Sequence, residues 1–414
     1  MSVEGMVIHM VHPAERIKGS KSNLLEGKRI ILGITGSIGA VECVRLAREL
    51  IRHGADVIAV MTESAKEILS PESMFFATGK PPITKLGGGV EHVTFAGEEE
   101  AEKSLLLIAP ATANTIGKIA TGIDDTPVTT FATVALGSGM PILIAPAMHA
   151  AMYRNPAVVK NIEYLKELGV EFIPPREEEG KEKFPDVETV FLHVLRAFRG
   201  GPGRGEAALV IGGASEEPID EMRVVSNRST GKTASEIAKA LFVEGFEVAL
   251  LWGRTTTPPP KVGEITGFRR VEELIELLEK MKGREFHFIF MPAALSDFIP
   301  ESREGKIPSG GELLLRMRSA PKVLNLLREL FPSAHIVAFK AVGGDDRKVM
   351  EREALSYIKE GRADFVAANM LKDVKEESTR ITLYWRDGAL GSFEGDKFRV
   401  ATALVKAVME KAGG

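Results

Sequence analysis

The sequence predicts an α/β protein built from two doubly wound, mainly parallel-sheet domains, and three observations carry that expectation. The chain has 414 residues, enough for two domains. Short apolar runs alternate with segments of helical periodicity in both halves, the pattern of a parallel sheet covered on both faces. Arg199–Gly205 (RGGPGRG) breaks the alternation with four glycines, a proline and two arginines, a composition that reads as a flexible linker. Residues 28–198 then form one domain and 206–414 the other, and residues 1–27 read as a polar extension, poorly ordered at its start.

In the first half, Arg29–Thr35 (RIILGIT) is short, apolar and ended by glycine, as a buried strand is, and Ile38–Arg52 has apolar residues at helical spacing. Asp56–Thr62, Leu105–Ala109, Pro141–Ala145 and Val170–Ile173 repeat the strand pattern, with helices over Asn114–Thr121 and Pro156–Leu168. After the linker the strands are Ala207–Ile211, Glu247–Trp252, Phe286–Met291, Ile336–Phe339 and Phe365–Ala368. Helices fall over Ser235–Val243, Val271–Lys282, Lys322–Leu330 and Val349–Lys359, and Ile381–Trp385 with Leu390–Phe393 makes a terminal hairpin.

Bulk properties narrow the function. A net charge of −4 gives no general attraction to nucleic acid. The single cysteine, Cys43, excludes a disulfide framework and a cysteine-ligated metal site and fits a reducing compartment. The longest apolar runs are too short to span a bilayer, and no signal peptide is evident at the N-terminus, so the expectation is a cytoplasmic protein with no membrane partner. Glutamine is absent while lysine, arginine and glutamate abound, a bias associated with thermophiles.

Candidate site residues cluster where strands end. GITGSIGAVE (Gly33–Glu42) joins a strand to a helix with Gly33, Gly36, Gly39 and the Ser37 hydroxyl, so a phosphate can approach backbone N–H groups. Its spacing departs from GxGxxG, and a tight strand–helix turn is the competing reading. IAPATANTIGK (Ile108–Lys118) and IAPAMHAAMYRNP (Ile144–Pro156) both leave a strand through Ala-Pro-Ala, and Thr62 and Ser64 follow the second strand. Ligands of open parallel sheets sit beyond the carboxyl ends of strands, so these segments would share one crevice. His92, in GGGVEHVTFA, can move a proton near neutral pH or be merely structural.

In the second half, Gly212, Gly213, Ala214 and Ser215 follow a strand as a phosphate-cradling turn would. SNRSTGK (Ser226–Lys232) places Ser226, Ser229, Thr230, Gly231 and Lys232 at the head of a helix, where they suit phosphates or simple capping. After the strand ending at Met291, Asp297 can hold a cation or a ribose, Phe298 can pack on a base, and Lys306 can reach an anionic transition state. Phe339, Lys340 and Asn369 lie at two more strand ends, where Asn369 reads a base edge or serves as a cap.

Taken in order, GSIGA, EHVTF, APATANTIGKIATGIDD and PAMHAAM resemble, over residues 28–197, the flavin-dependent decarboxylase half of a bifunctional family. That family joins phosphopantothenoylcysteine decarboxylase to phosphopantothenate–cysteine ligase. GGASEEPIDEMRVVSNRSTGK, AALSDF, KIP, AFKA and AAN resemble its ligase half over residues 206–410. The resemblance implies two Rossmann-like domains and coenzyme A biosynthesis. FMN would be held by Gly36, Ser37, Thr62, Ala109, Pro110, Ala111, Thr112 and Asn114, with His92 catalytic and Met148 and Met152 on the substrate side. His149 stands where the family commonly has asparagine, and a histidine can also donate to the substrate carboxylate. The family's flap cysteine has no counterpart in PREEEGKEKFPD (Pro175–Asp186); its charged run Glu177–Lys183 is either the flap or a solvated loop.

For the ligase half the resemblance implies attack of the 4'-phosphopantothenate carboxylate on CTP, giving an acyl-cytidylate that cysteine's amine then opens, with Mg2+ near Asp297. Arg223, Asn227, Ala293 or Ala294 and Lys306 match the functional positions, Asn227 binding the activated intermediate. KIPS stands where Lys-Ile-Lys-Lys is usual, and Lys340 where alanine is common. The family also implies trimeric flavin domains and dimeric ligase domains. Two other readings compete: a flavin-binding but decarboxylase-inactive first half, and a nucleotide-binding regulator on the same folds.

Overall fold

The computed structural model describes residues 11–178, 181–201, 203–308, 310, 312–344 and 346–413, with backbone alone at 177, 178 and 181–183. The chain divides into two compact units, Met1–Arg199 and Gly200–Gly414.

The first unit is built on β1 (Arg29–Ile34), β2 (Asp56–Met61), β3 (Ser104–Ala111), β4 (Ile142–Pro146) and β5 (Glu171–Phe172). They form one sheet in the order β2-β1-β3-β4-β5, and every pair in it is parallel. All eight residues of β3 are buried, as a central strand covered by helices on both faces requires. The helix Cys43–Arg52 buries Cys43, Leu46, Ala47, Leu50 and Ile51, an i, i+3, i+4, i+7, i+8 stripe. The expected helix Ile38–Arg52 is split: Ile38–Glu42 is a 3-10 turn, so the loop after β1 stays tight before the α-helix begins.

Helices Pro71–Thr78, Pro127–Ser138 and Val187–Arg199 were not read from the sequence. Pro127–Ser138 has apolar or small residues around its whole circumference, so no stripe marks it. Its signals are local instead: a capping box between Thr126 and Thr129, proline in the first turn, and Gly139 closing it at φ 71°. The run Glu177–Lys183 pairs as a short ladder of β6 (Arg176–Glu178) and β7 (Lys181–Lys183), and its side chains lie outside the described residues.

The start of the N-terminal extension, expected to be poorly ordered, lies outside the described residues; from residue 11 onward the extension is packed. Ala14 and Leu25 are fully buried, and the N–H groups of Gly19 and Leu25 donate to the carbonyls of Ile51 (3.0 Å) and His53 (2.8 Å) at the end of the helix Cys43–Arg52. The segment expected as a flexible linker lies against the second unit. Gly201 and Gly203 are buried, and Gly203 donates to the Glu244 carbonyl at 3.1 Å. A Cβ on Gly201 would stand 2.0 Å from the Glu244 carbonyl oxygen, and one on Gly203 would stand 2.6 Å from the Phe246 ring. The glycines here serve close approach, not flexibility.

The second unit contains β8 (Ala207–Gly212), β9 (Glu216–Pro218), β10 (Val224–Ser226), β11 (Glu247–Trp252), β12 (Gly263–Gly267), β13 (Phe288–Met291), β14 (Phe298–Pro300), β15 (Met317–Ser319), β16 (His335–Val342), β17 (Phe365–Met370), β18 (Ser378–Trp385) and β19 (Gly388–Asp396). Its main sheet runs β12-β11-β8-β13-β16-β17-β18-β19. The pairs from β12 to β17 are parallel, and β18 and β19 close it as an antiparallel hairpin. β9 pairs with β10, and β14 with β15, as small hairpins outside the sheet. The helix Lys232–Val243 is buried from Ala234 to Val243, because it lies between the sheet and the C-terminal helix Lys397–Ala412.

Candidate functional site

In the order β2-β1-β3-β4-β5 the topology switches direction between β1 and β3, and a doubly wound sheet opens its ligand crevice at the carboxyl ends there. Those ends carry the predicted residues. Thr35 ties the two strands together: its hydroxyl donates to the Pro110 carbonyl (2.8 Å) and accepts from the Thr112 N–H (3.0 Å). Gly36 passes so close to the loop after β2 that an added Cβ would lie 2.5 Å from Ser64 Cβ, a clash no side-chain rotation relieves. The Ser37 hydroxyl makes no capping bond, which leaves it free for a ligand oxygen. The Thr62 and Thr112 hydroxyls instead cap the helices that follow them, accepting from Ala65 (3.2 Å) and Thr115 (3.3 Å). Asn114 is exposed above them, and Ile38 and Val41 stand 76% and 50% exposed beside the loop.

After β4, Met148 is half-buried and Met152 is 49% exposed. His149 caps the helix Ala150–Tyr153, its Nδ1 accepting from the Ala151 N–H at 3.2 Å. With Nδ1 acting as acceptor, a neutral ring carries its proton on Nε2, where it can be donated to an anion.

Cys43 is fully buried and its thiol donates to the Ala109 carbonyl at 3.2 Å. Burial, assisted by the Glu42 carboxylate, pushes the thiol far above its ordinary range, so it supplies neither a thiolate nor a mobile proton.

His92 stands on a separate element, the helix Glu91–Ala96 ahead of β3. Its Nδ1 is buried without a hydrogen-bond partner. The residue that starts this helix, Val90, is β-branched yet left-handed, at φ 50°. A strained start beside an unsatisfied ring nitrogen fits a side chain held for chemistry.

In the second unit a cleft of about 880 Å3 opens at the carboxyl ends of β8, β13, β16 and β17. Backbone bonds stitch its floor: Ala294 N–H donates to Gly213 (2.8 Å), and Ala214 N–H to Arg254 (2.9 Å). Ser226 Oγ donates to the Ser215 carbonyl (2.7 Å), and Ser215 Oγ accepts from Ser296 (3.0 Å). The Asn227 amide reaches across to the carbonyls of Ala294 (3.2 Å) and Leu295 (2.8 Å). Gly213, Ser226, Asn227, Ser229, Thr230, Gly231, Lys232, Ala293, Ala294, Asp297, Phe339 and Asn369 all line the cleft. Among the described lining residues six are basic, Arg228, Lys232, Arg254, Lys322, Arg362 and Lys397, against one carboxylate, Asp297. That imbalance suits a polyanion. Arg254, Lys322, Arg362 and Lys397 were not read from the sequence.

The other predicted residues lie outside that lining. Gly212 serves packing: a Cβ there would stand 2.5 Å from Ala234 and 2.9 Å from the Trp252 ring. Lys340 alternates away from Phe339, its ammonium 3.4 Å from Glu353 and over the Tyr357 ring. Phe298 is 55% exposed on the β14–β15 hairpin. Arg223 and Lys306 belong to a neighbouring clamp. The buried Asp220 carboxylate accepts from the N–H groups of Met222 (2.8 Å), Arg223 (2.7 Å) and Ile307 (3.0 Å), and from the Arg223 guanidinium (2.6 Å). Burial opposes its charge, but these donors outweigh it and hold the carboxyl below its ordinary range. The Arg223 guanidinium also donates to the Ile307 carbonyl at 3.2 Å, so the base of the exposed Lys306 loop is fixed from both sides of the peptide.

Among the described residues no three His, Cys, Asp or Glu side chains converge on a metal site. Mg2+ can be held by a single carboxylate when phosphates supply its other ligands, and Asp297, 2.8 Å from Lys322, is the lining carboxylate that could hold it.

The flavoprotein family profile matches residues 18–199, and that of the DNA/pantothenate metabolism flavoprotein C-terminal domain matches residues 203–411. The chain is 44% identical over 382 residues to the coenzyme A biosynthesis bifunctional protein CoaBC of Thermococcus kodakarensis, covering 92% of this chain and 94% of that one. It is 37% identical over 368 residues to the protein of the same name from Methanocaldococcus jannaschii, covering 88% and 89%. Among solved structures, the FMN-dependent cysteine decarboxylase SpaF aligns at 32% identity and a TM-score of 0.35, covering 40% of this chain and 94% of its own.

Proposed function

This chain belongs to the bifunctional coenzyme A biosynthesis protein family and is an enzyme with a decarboxylase-type and a ligase-type domain; from that premise we propose how each half works. The second unit ligates cysteine to 4'-phosphopantothenate with CTP, and the first unit, with FMN, decarboxylates the product to 4'-phosphopantetheine.

The observation that carries the ligase reading is the cleft with six basic side chains and one carboxylate. The phosphopantothenate carboxylate attacks the α-phosphorus of CTP, a P–O bond forms, and pyrophosphate leaves. The amine of cysteine then attacks the acyl carbon, loses a proton and releases CMP. Lys232, Gly231 and the hydroxyls of Ser229 and Thr230 hold phosphates, and Asp297 would hold Mg2+, which would offset the phosphate charge. Lys306, on its fixed loop base, meets the charge of the crowded phosphorus. Asn227 already donates its amide to two carbonyls of the cleft floor, so its oxygen faces an acceptor-seeking group of the intermediate.

The first unit fits a flavin. Its topological switch lies between β1 and β3, Gly36 leaves no room for a side chain at the phosphate turn, and Ser37 is uncommitted. A bound flavin supplies reversible two-electron oxidation at the thiol-bearing carbon, which gives the electrons of the departing carboxylate a place to go. His149 donates from Nε2 to the substrate carboxylate, Met148 and Met152 line its approach, and His92 moves the proton. Cys43 does not replace the family's flap cysteine, because it is buried and its thiol is committed to Ala109.

We place the enzyme in the cytoplasm, the reducing compartment that its single, unpaired cysteine fits; no helix among the described residues is long and apolar enough to cross a membrane. We assign it a homo-oligomeric state, trimeric through the flavin units and dimeric through the ligase units. Exposed apolar side chains support this: Ile38 (76%), Val90 (46%) and Val93 (52%) in the first unit, Met222 (71%) and Leu314 (84%) in the second.

Pyrophosphate release tests the ligase half. Purified enzyme given CTP and Mg2+ should release pyrophosphate only when phosphopantothenate is added, before any cysteine is supplied. Release without phosphopantothenate, or none with it, contradicts the acyl-nucleotide route.

A further inference from the structure

The C-terminal helix Lys397–Ala412 begins with a lysine, directly after its cap Asp396. The first turn of a helix carries partial positive charge, so a cation is misplaced there unless an anion joins it. Lys397 is also 5% exposed, and what remains open faces the cleft, which it lines together with Lys232, Thr379 and Asn369. A buried ammonium requires a compensating charge. Among the described residues no carboxylate comes within ion-pair distance of it.

Of the three carboxylates whose field reaches it, Glu376 is exposed and the other two are already engaged. Glu236 is 3.7 Å from Lys232 and 3.3 Å from Lys239, and Glu377 is 3.4 Å from Lys232. Glu377 is moreover 68% exposed on its side chain, where water weakens its field. Burial accordingly pulls the Lys397 ammonium below the ordinary lysine range, with Glu377 opposing that shift and Lys232 adding to it. Lys232 is likewise the first residue of its helix, after Gly231, and the two helices pack together. Two helix N-termini, each opening with a lysine, therefore converge on one wall of the cleft.

We infer that Lys397 binds the polyphosphate of the nucleotide together with Lys232, completing a phosphate site from the far end of the chain. This deepens the nucleotide reading of the cleft and rests on it. An incoming phosphate oxygen satisfies the ammonium and both helix ends at once.

Calorimetric titration of the full-length enzyme with inorganic pyrophosphate, and separately with CTP, tests the inference on Lys397→Met and Lys397→Arg. Losing a charge-assisted bond to phosphate should weaken both ligands by roughly tenfold or more in Lys397→Met. Lys397→Arg should stay within a few-fold of the parent, and KM for cysteine should be unchanged in both. Lys397→Gln, with a polar tip of similar length, gives the same reading if the Met variant does not fold. Pyrophosphate bound as tightly by a folded Met or Gln variant as by the parent overturns the role of Lys397. A parent enzyme that binds pyrophosphate but not CTP leaves the phosphate site standing and removes the nucleotide; a parent that binds neither removes both.

Discussion

Replacing His92 by asparagine should leave the enzyme yellow and stop carbon dioxide release. The loops proposed to hold flavin lie at the ends of β1, β2 and β3, whereas His92 sits on the separate helix Glu91–Ala96. Flavin affinity and absorbance should therefore change little. The imidazole Nδ1 is buried without a partner. An asparagine amide offers a polar atom near that place but cannot take and return a proton near neutral pH. Loss of a positioned acid–base group lowers the chemical step by about 10²- to 10⁴-fold. Single-turnover carbon dioxide release from phosphopantothenoylcysteine is the measurement. Parent-like turnover would remove His92 from the reaction. Loss of flavin together with activity would make it a structural residue.

Lys306→Ala should suppress pyrophosphate release while leaving the cleft intact. The loop base does not depend on the lysine side chain, because Asp220 holds the Ile307 N–H at 3.0 Å and Arg223 holds the Ile307 carbonyl at 3.2 Å. The side chain itself is exposed, free to close over a bound triphosphate. Removing a donor that meets charge developing at the transition state costs about 10²- to 10³-fold in rate. CTP binding without turnover should persist, since Lys232 and the glycine turns stay in place. Normal pyrophosphate release in Lys306→Ala would reject the role.

How much of this was legible in the sequence differs by feature. The strands and the helix Cys43–Arg52 were readable because burial on one face leaves a period in the sequence. Pro127–Ser138 escaped because it is apolar on every side, and only its caps mark it. The glycines of Arg199–Gly205 pointed to flexibility, since composition does not show that Gly201 and Gly203 lie against Glu244 and Phe246. Strand ends located the cleft of the second unit, because parallel topology sends every such end to one edge. Side-chain direction was harder: Phe339 lines the cleft while the adjacent Lys340 turns to Glu353. Lys397 had one readable signal, a lysine just after a capping aspartate, where helix electrostatics disfavours it. Its companion Lys232 lies 165 positions earlier in the chain, so only the fold brings them to one wall.

The central claim is that one chain performs ligation and decarboxylation in succession. Cysteine labelled in its carboxyl carbon tests it directly, when supplied to the purified enzyme with phosphopantothenate, CTP and Mg2+. The account predicts labelled carbon dioxide and unlabelled phosphopantetheine in equal amounts, with one CMP per turnover. Label retained in phosphopantothenoylcysteine, with no carbon dioxide formed, would contradict it.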